Sequence, residues 1–151
     1  MATIKDIIKS IRPGAEWVII GDTYEGINWL DTIQTKPSAT EVASAKVILE
    51  IEEVKEISRN IARDIFNTEV VKDITALGYT WQGGYDSAIR LDAARRLAEA
   101  AGQTTVTLHD VSHLPRVLSL AEVLQVVLTI SQAFQTAFGI KQAELARINA
   151  S

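Results

Sequence analysis

The feature that most constrains this chain is a stretch from Ser38 to Leu77 that contains neither glycine nor proline. Its start has the form of a capping box, because Glu41 follows Ser38 at a spacing of three and Pro37 disfavours an earlier helical start. Gly78 comes directly after the stretch and is the residue type expected where a helix ends in a left-handed turn. We predict one long helix over 38–77, roughly 58 Å in length at about 1.5 Å per residue.

Aliphatic residues recur along this helix at alternating steps of four and three, which is the heptad spacing of a coiled coil. The members of this seam are Val47, Ile51, Val54, Ile61 and Ile65, with Ser58 in the one polar position. Because the seam is β-branched at both heptad positions, it favours three or four strands over two, and we predict a homotrimer. The alternative is an ordinary amphipathic helix that packs on its own domain, since only about two to three heptads are present.

A short helix and a β-hairpin precede the long helix. Thr3 can cap the helix, which carries its isoleucines on one stripe and ends at Pro13-Gly14. The β-branched and aromatic runs at 17–20 and 27–30 predict an antiparallel hairpin. The candidate partner-docking residues in this part are Ile4, Ile7, Ile8, Ile11, Trp17 and Trp29. These residues either form the core of their own domain or insert into a partner, as terminal amphipathic helices and aromatic side chains do.

A second hairpin is predicted after Gly78, over 79–87, with Gly83-Gly84 supplying the turn. The double glycine is not a phosphate-binding loop, because no lysine followed by serine or threonine comes after it. Asp86 or Ser87 caps the alanine-rich helix that follows, and Gly102 ends that helix.

One strand and one long helix complete the chain. The strand is predicted from Thr104 to about Leu108. Ser119 and Glu122 form another capping box, which predicts a last helix from Leu120 to about Asn149. The expected buried positions of that helix are Leu124, Val127, Leu128, Phe134, Phe138, Leu145 and Ile148.

Composition argues against several classes of function. A formal net charge of −4, without a basic cluster interleaved with aromatics, argues against nucleic-acid binding. With no cysteine there is no disulfide, thiol nucleophile or thiolate metal site. The first residues carry charges within their apolar run, unlike a signal peptide, and no apolar run approaches the ~20 residues of a membrane span. We therefore expect a soluble protein made in the cytoplasm, without membrane insertion.

The only histidine cluster is His109-Asp110-Val111-Ser112-His113, which lies between a predicted strand and Pro115. A loop there does not give the shared helical face that a histidine pair at this spacing needs to hold a metal. Ser112 lies next to histidine and aspartate, but sequence neighbours do not supply triad geometry and no nucleophile elbow is present. We predict no catalytic, cofactor-binding or metal-binding residues, and a small hydrolase built on this loop is the remote alternative.

Two parts of the chain resemble proteins of tailed-bacteriophage tails. From about Ile57 onward, the chain resembles a tail domain of uncharacterised function, in which a helix, an aromatic hairpin, an alanine-rich helix, a strand and a long helix follow one another. The matching residues are Leu77–Ser87, Ile89-Arg90, Ala93–Ala101, Lys141-Gln142 and Arg147–Ala150. The first part is similar to another recurrent tail pattern through Ile4-Lys5, Ile11–Pro13, Ala15-Glu16, Gly21–Tyr24, Ile27–Trp29 and Lys36–Ser38. One departure is His109–Val111, where the family has a polar turn.

The resemblance implies a structural component of a phage virion tail at the baseplate, tail tip or tail-fibre attachment point. It implies other tail or baseplate proteins as partners, the virion tail as location, and no enzymatic activity or cofactor. The alternative is a tail or tail-fibre assembly chaperone that is absent from the mature particle.

The predicted fold is α+β and mainly helical, with a long central helix, a long C-terminal helix, two small β-hairpins and one short strand. We divide it into a docking lobe at 1–37, the long helix at 38–77 and a C-terminal domain at 78–151.

Overall fold

The computed structural model describes residues 2–151 and confirms the α+β, mainly helical fold with a long central and a long C-terminal helix. The α-helices of this described part are α1 (Ile4–Ile11), α2 (Ala39–Val70), α3 (Tyr85–Ala100) and α4 (Leu120–Ala150). Its strands are β1 (Trp17–Ile19), β2 (Ile27–Trp29), β3 (Ile74–Ala76), β4 (Tyr79–Trp81), β5 (Thr105–His109) and β6 (Pro115–Ser119). Each strand pairs with its neighbour in the chain, so the sheets are three antiparallel hairpins.

Capping boxes begin three of the four helices. The pairs are Thr3 with Asp6, Ser38 with Glu41, and Ser119 with Glu122. In the second pair, the backbone N–H of Glu41 donates to Ser38 Oγ at 3.2 Å, and the N–H of Ser38 donates to the Glu41 carboxylate at 2.7 Å. The predicted starts of α1, α2 and α4 are therefore confirmed, because each box satisfies amides that the first helical turn leaves free.

The chain forms two compact units rather than the three predicted segments, and the boundary between them lies inside α2, after Ser58. In the first unit, α1 and the β1–β2 hairpin pack on the first part of α2. The predicted first hairpin is confirmed, with Trp17 opposite Trp29. The buried core of this unit consists of Ile7, Ile8, Ile27, Val42 and Ala45.

The second unit spans Arg59–Ser151 and is built around Trp81, the largest fully buried side chain. The Trp81 indole N–H donates to the carbonyl oxygen of Ala76 at 3.0 Å, so its one polar atom is satisfied inside the core. The other buried members of this core are Ala76, Ala88, Leu118, Val123, Val126 and Ile130. Strands β3, β4 and β6 and helices α3 and α4 all contribute to it.

The predicted end of the long helix at Leu77 is wrong, because α2 ends at Val70 and the next residues form β3. Leu77 and Gly78 are the two turn residues of the β3–β4 hairpin, and their φ angles of 56° and 76° match a type I′ turn. The β-branched pair Ile74-Thr75 forms a strand here because it can pair with β4 and cover Trp81. Tertiary packing therefore overrides the uninterrupted helical pattern.

Gly83-Gly84 does not form the predicted hairpin turn. Gly84 is the N-cap residue of α3, and neither Asp86 nor Ser87 caps that helix. A Cβ atom at Gly83 would lie 1.9 Å from the carbonyl oxygen of Lys72, so this glycine lets two backbone segments cross closely.

The single short strand of the prediction is in fact a third hairpin. The predicted strand is confirmed as β5, but it pairs over five residues with β6, a strand that the sequence pattern does not predict. Pro115 is tolerated at the first position of β6, where its missing N–H breaks no ladder bond that the strand requires.

The predicted buried face of α4 is also wrong in part. Ile148 is buried, but Leu124, Leu128 and Phe138 are exposed. The buried residues of this helix are Val123, Val126, Ile130 and Ile148. Apolar residues lie on several sides of α4, so periodicity alone offers two stripes, and packing against Trp81 and α3 selects one.

Candidate functional site

The predicted seam of α2 lies at the surface of the chain. Its five members keep between 47% and 62% of their surface exposed: Val47, Ile51, Val54, Ile61 and Ile65. Two further isoleucines of the same helix, Ile48 and Ile57, are exposed to a similar degree. Ile48 and Ile57 lie nine residues apart, on opposite sides of the helix, so we call the five seam members alone the α2 stripe. Large aliphatic residues exposed in a row mark interaction sites more often than isolated ones do.

In each unit, the part of α2 that belongs to it packs one face on the core of that unit. In the first unit, Val42 and Ala45 are buried and Leu49 packs beside them, whereas Val47 and Ile51 point away from that core. In the second unit, Ala62 is buried and Phe66 packs in an aromatic cluster, whereas Ile61 and Ile65 remain exposed. Within each unit, therefore, the packing face and the seam are separate.

Ser58, the one polar seam position, has its hydroxyl satisfied within the helix. Its Oγ–H donates to the carbonyl oxygen of Val54 at 2.9 Å. A serine bonded in this way carries no unsatisfied hydroxyl donor if another chain covers it. The polar position therefore leaves no unsatisfied donor beside Val54 in the first unit.

The candidate docking residues of the first unit divide into buried and half-buried groups. Ile7 and Ile8 have no exposed surface and lie at the centre of the first core. Ile4, Ile11, Trp17 and Trp29 are half-buried around it. The Trp29 indole N–H donates to the carbonyl oxygen of Gln34 at 2.8 Å. In this arrangement Ile7 and Ile8 are not available to a partner, and only the half-buried residues reach the surface.

An aromatic cluster that sequence reasoning missed holds α2 to α4 in the second unit. The Phe66 ring lies edge-on to Phe134 and Phe138, at centroid distances of 5.9 and 6.2 Å. The Lys141 ammonium lies 3.9 Å from the centroid of Phe66, which is a favourable cation–π position. Tyr85, at the start of α3, completes the cluster against Phe134. Only the i, i+4 spacing of Phe134 and Phe138 was visible in the sequence.

The histidine loop is organised by Asp110. Its carboxylate accepts hydrogen bonds from the backbone N–H groups of Ser112 and Leu114 and from Arg116. Burial alone would raise the pKa of Asp110, but the Arg116 bond and the two backbone bonds outweigh it, so the net pKa is lowered. The guanidinium of Arg116 in turn lies 4.2 Å over the ring of Tyr79. These contacts give Asp110 a structural role in the β5–β6 turn.

Two features of the described residues concern the expected absence of metal binding and membrane insertion. Within residues 2–151, no group of three or more histidine, aspartate or glutamate side chains is placed to hold a metal ion. In the same range, α4 is the one helix long and apolar enough to cross a membrane by length and composition. Core helices of soluble proteins pass the same test, so the prediction of no membrane insertion stays a prediction.

The α2 stripe is thus the predicted site that the structure leaves most open to other molecules. Comparisons with protein-family models, curated proteins and solved structures give no match.

Proposed function

We propose that this chain is a structural subunit of a tailed-phage tail that self-associates through the α2 stripe and docks other tail proteins. The observation that carries the proposal is the exposure of all five seam residues on a face that the chain's own cores leave uncovered. The tail location is supported by the resemblance described above. The baseplate, the tail tip and the fibre attachment point are the places where such an adaptor belongs.

The size of the stripe is sufficient for association. The five half-exposed side chains of the stripe present on the order of 500 Å² of apolar surface in total, comparable with the largest patch on a typical monomer. Val47, Ile51 and Val54 belong to the first unit, and Ile61 and Ile65 belong to the second. Two such stripes would bury about 1,000 Å², which is the lower bound for a specific interface.

The side-chain shapes favour a trimer. Valine and isoleucine occupy both heptad positions of the seam, and β-branching at both positions shifts the preference from two strands to three or four. A trimeric adaptor also suits a tail built on threefold or sixfold symmetry.

The first test is the oligomeric state of the purified chain, measured by sedimentation equilibrium. We expect a trimer for the native sequence and a monomer for the double variant Ile51→Asp/Ile61→Asp. Each new carboxylate would be buried in the seam without a partner, and burying an unpaired charge is costly. The matched control is Ile33→Asp/Ile140→Asp, which places the same charges on two exposed isoleucines outside the stripe. If the seam variant and the control have the same mass, the self-association proposal is wrong.

The second test separates the adaptor from an assembly chaperone. Quantitative mass spectrometry of purified phage particles should find the chain at a copy number that is a multiple of three. A chain abundant in infected cells but missing from particles would instead be a chaperone.

A further inference from the structure

An open cleft of about 700 Å³ lies beside β1 in the first unit. One wall is the side of α1 that carries Lys5, Lys9 and Arg12, and the other wall is the run from Gly14 to Ile19. Consecutive residues of β1 alternate between the two faces of the hairpin, so a cleft lined by Trp17, Val18 and Ile19 together follows the edge of the strand.

Helix α1 and strand β1 run antiparallel along this cleft. At one end, Pro13-Gly14 connects them directly. At the other end, the backbone N–H of Ile4 donates to the Asp22 carboxylate at 2.8 Å, and Asp22 lies just beyond β1. The basic side of α1 therefore accompanies β1 along its length.

The edge of β1 that does not face β2 is unpaired. Ladder bonds join Leu30 to Glu16 and Ile20 to Gly26, so the intervening bonded pair is Val18 with Asn28. Trp17 and Ile19 then direct their N–H and C=O groups to the opposite edge. Within residues 2–151, the structure gives those four groups no hydrogen-bond partner. An edge of this kind accepts a further strand.

The two lysines that overlook this edge are available for binding. Arg12 is already engaged by Glu41 at 2.8 Å and by the carbonyl oxygen of Thr35. Lys5 and Lys9 are exposed and take part in no ion pair within the described residues. Their positive charges contribute to lowering the pKa of Asp6. Asp6 itself is held by Thr3, which lowers its pKa more than either lysine does.

The spacing of the lysines matches that of an extended chain. Lys5 and Lys9 are four helical residues apart, which is about 6 Å along the axis. Alternate residues of a strand, which point to the same side, are about 6.7 Å apart. An Asp-x-Asp or Glu-x-Glu segment beside β1 therefore places one carboxylate near each ammonium.

We propose that the cleft binds an extended acidic segment of a partner protein, which adds to the β1–β2 hairpin as a third strand. This inference rests on the proposed function, since it names the chemistry of the partner that the first unit docks. Backbone hydrogen bonds to Trp17 and Ile19 supply affinity, Lys5 and Lys9 select acidic residues, and the exposed Val18 and Leu30 contact alternate apolar ones.

The test uses the full chain and a nine-residue peptide of alternating valine and aspartate, capped at both ends. Binding is followed by NMR, and we expect slowed exchange of the Trp17 and Ile19 amide hydrogens, with little change at Val18, which is already bonded. A second peptide carries N-methyl groups on the amides that would face β1. It keeps the charge but cannot form the ladder, and we expect it to bind at least tenfold more weakly. Equal binding of the two peptides would overturn the added strand.

Charge selection is tested on the protein side. Lys9→Glu should weaken binding of the unmethylated peptide about tenfold at low salt, because a close pair of opposite charges across the interface becomes a pair of like charges. Lys9→Arg should keep the affinity, because it retains the positive charge. The control is Lys72→Glu, which makes the same charge change in the second unit, where Lys72 pairs with Glu69. Glu16→Gln, which removes the cleft's acidic side chain, should strengthen binding severalfold. If Lys9→Glu and Lys72→Glu change the peptide affinity equally, the cleft is not the site that binds the acidic peptide.

The peptide experiment is independent of self-association. The variant Ile51→Asp/Ile61→Asp leaves the cleft unchanged and should bind the peptide as the native chain does. Peptide binding by a chain that proves monomeric would support the cleft and refute the seam. A trimer that does not bind the peptide would support the seam and refute the cleft.

Discussion

The two units treat their large apolar residues differently. The second unit encloses Trp81 completely and satisfies its indole N–H with a backbone carbonyl. The first unit leaves Trp17 and Trp29 half-buried and exposes Val18 and Leu30 on its hairpin. The tryptophan of the second unit is thus hidden from solvent, whereas both tryptophans of the first unit keep part of their surface open to a partner. We infer that the first unit gains more stability from partners.

The largest effect on this comparison is expected from Trp81→Ala. The substitution removes the central side chain of the second core and its indole hydrogen bond to the Ala76 carbonyl, so we expect a loss of about 3–5 kcal/mol. Urea denaturation measures the loss, and hydrogen exchange locates it. Exchange should accelerate in β3–β6 and α4. Retained protection at Leu118 and Val126 would show that Trp81 is not the residue on which this core depends.

A smaller loss, about 2–4 kcal/mol, is expected from Ile8→Ala in the first unit. Ile8 is fully buried, and the matched control Ile33→Ala changes an isoleucine that is almost fully exposed and should cost under about 0.5 kcal/mol. Denaturant titration compares the two variants. If oligomerisation or a bound acidic peptide raises the unfolding free energy of the Ile8→Ala variant, partners stabilise the first unit as proposed. Equal losses for the two variants would mean that α1 does not contribute to a core.

The smallest expected effect is the loss of stability of the first unit when acid protonates Glu41. The hydrogen bond from the Ser38 N–H and the bond from Arg12 lower the pKa of Glu41 from 4.5 to about 2. Because the folded pKa lies below the unfolded one, Glu41 stabilises the first unit above about pH 4.5, and this contribution is lost as the pH falls from about 4.5 to about 2. Hydrogen exchange in the first turn of α2 should reveal the loss, and Glu41→Gln should abolish its pH dependence.

Glu122 is the internal reference for that measurement. Its pKa is also lowered, by the Ser119 N–H first, but within residues 2–151 no arginine or lysine pairs with it. Acid should therefore loosen the start of α4 less than the start of α2. The opposite order would mean that Arg12 does not contribute to the stability of the first unit.

Local chemistry could be predicted from the sequence wherever a few neighbouring residues decide the structure. The boxes at Ser38 and Ser119 depend on residues three apart, and both helices begin where predicted. The hairpin of Trp17 and Trp29 was likewise visible in two β-branched runs with glycine between them. In these cases the partners of each backbone amide lie within one turn or one hairpin.

The features that could not be predicted from the sequence depend on residues far apart in the chain. Leu77 adopts a left-handed conformation that its side chain disfavours, in a hairpin whose Trp81 is buried in the core of the second unit. The buried face of α4 was assigned one residue out of register at Leu124, because the position of α3 selects Val123 instead. The unpaired edge of β1 was invisible, since no pattern in a strand records which of its edges remains open.

The pairing of every strand with its neighbour in the chain has a consequence for the order of folding. Hairpins and helices close within microseconds, because the segments that meet are near one another in the sequence. The contact between Arg59 and Asn149 joins residues 90 positions apart. During synthesis the first unit can therefore close early, while the second waits for α4 to leave the ribosome. During that interval Phe66 has no aromatic neighbour from α4. The nascent chain therefore exposes more apolar surface on α2 than the folded protein does.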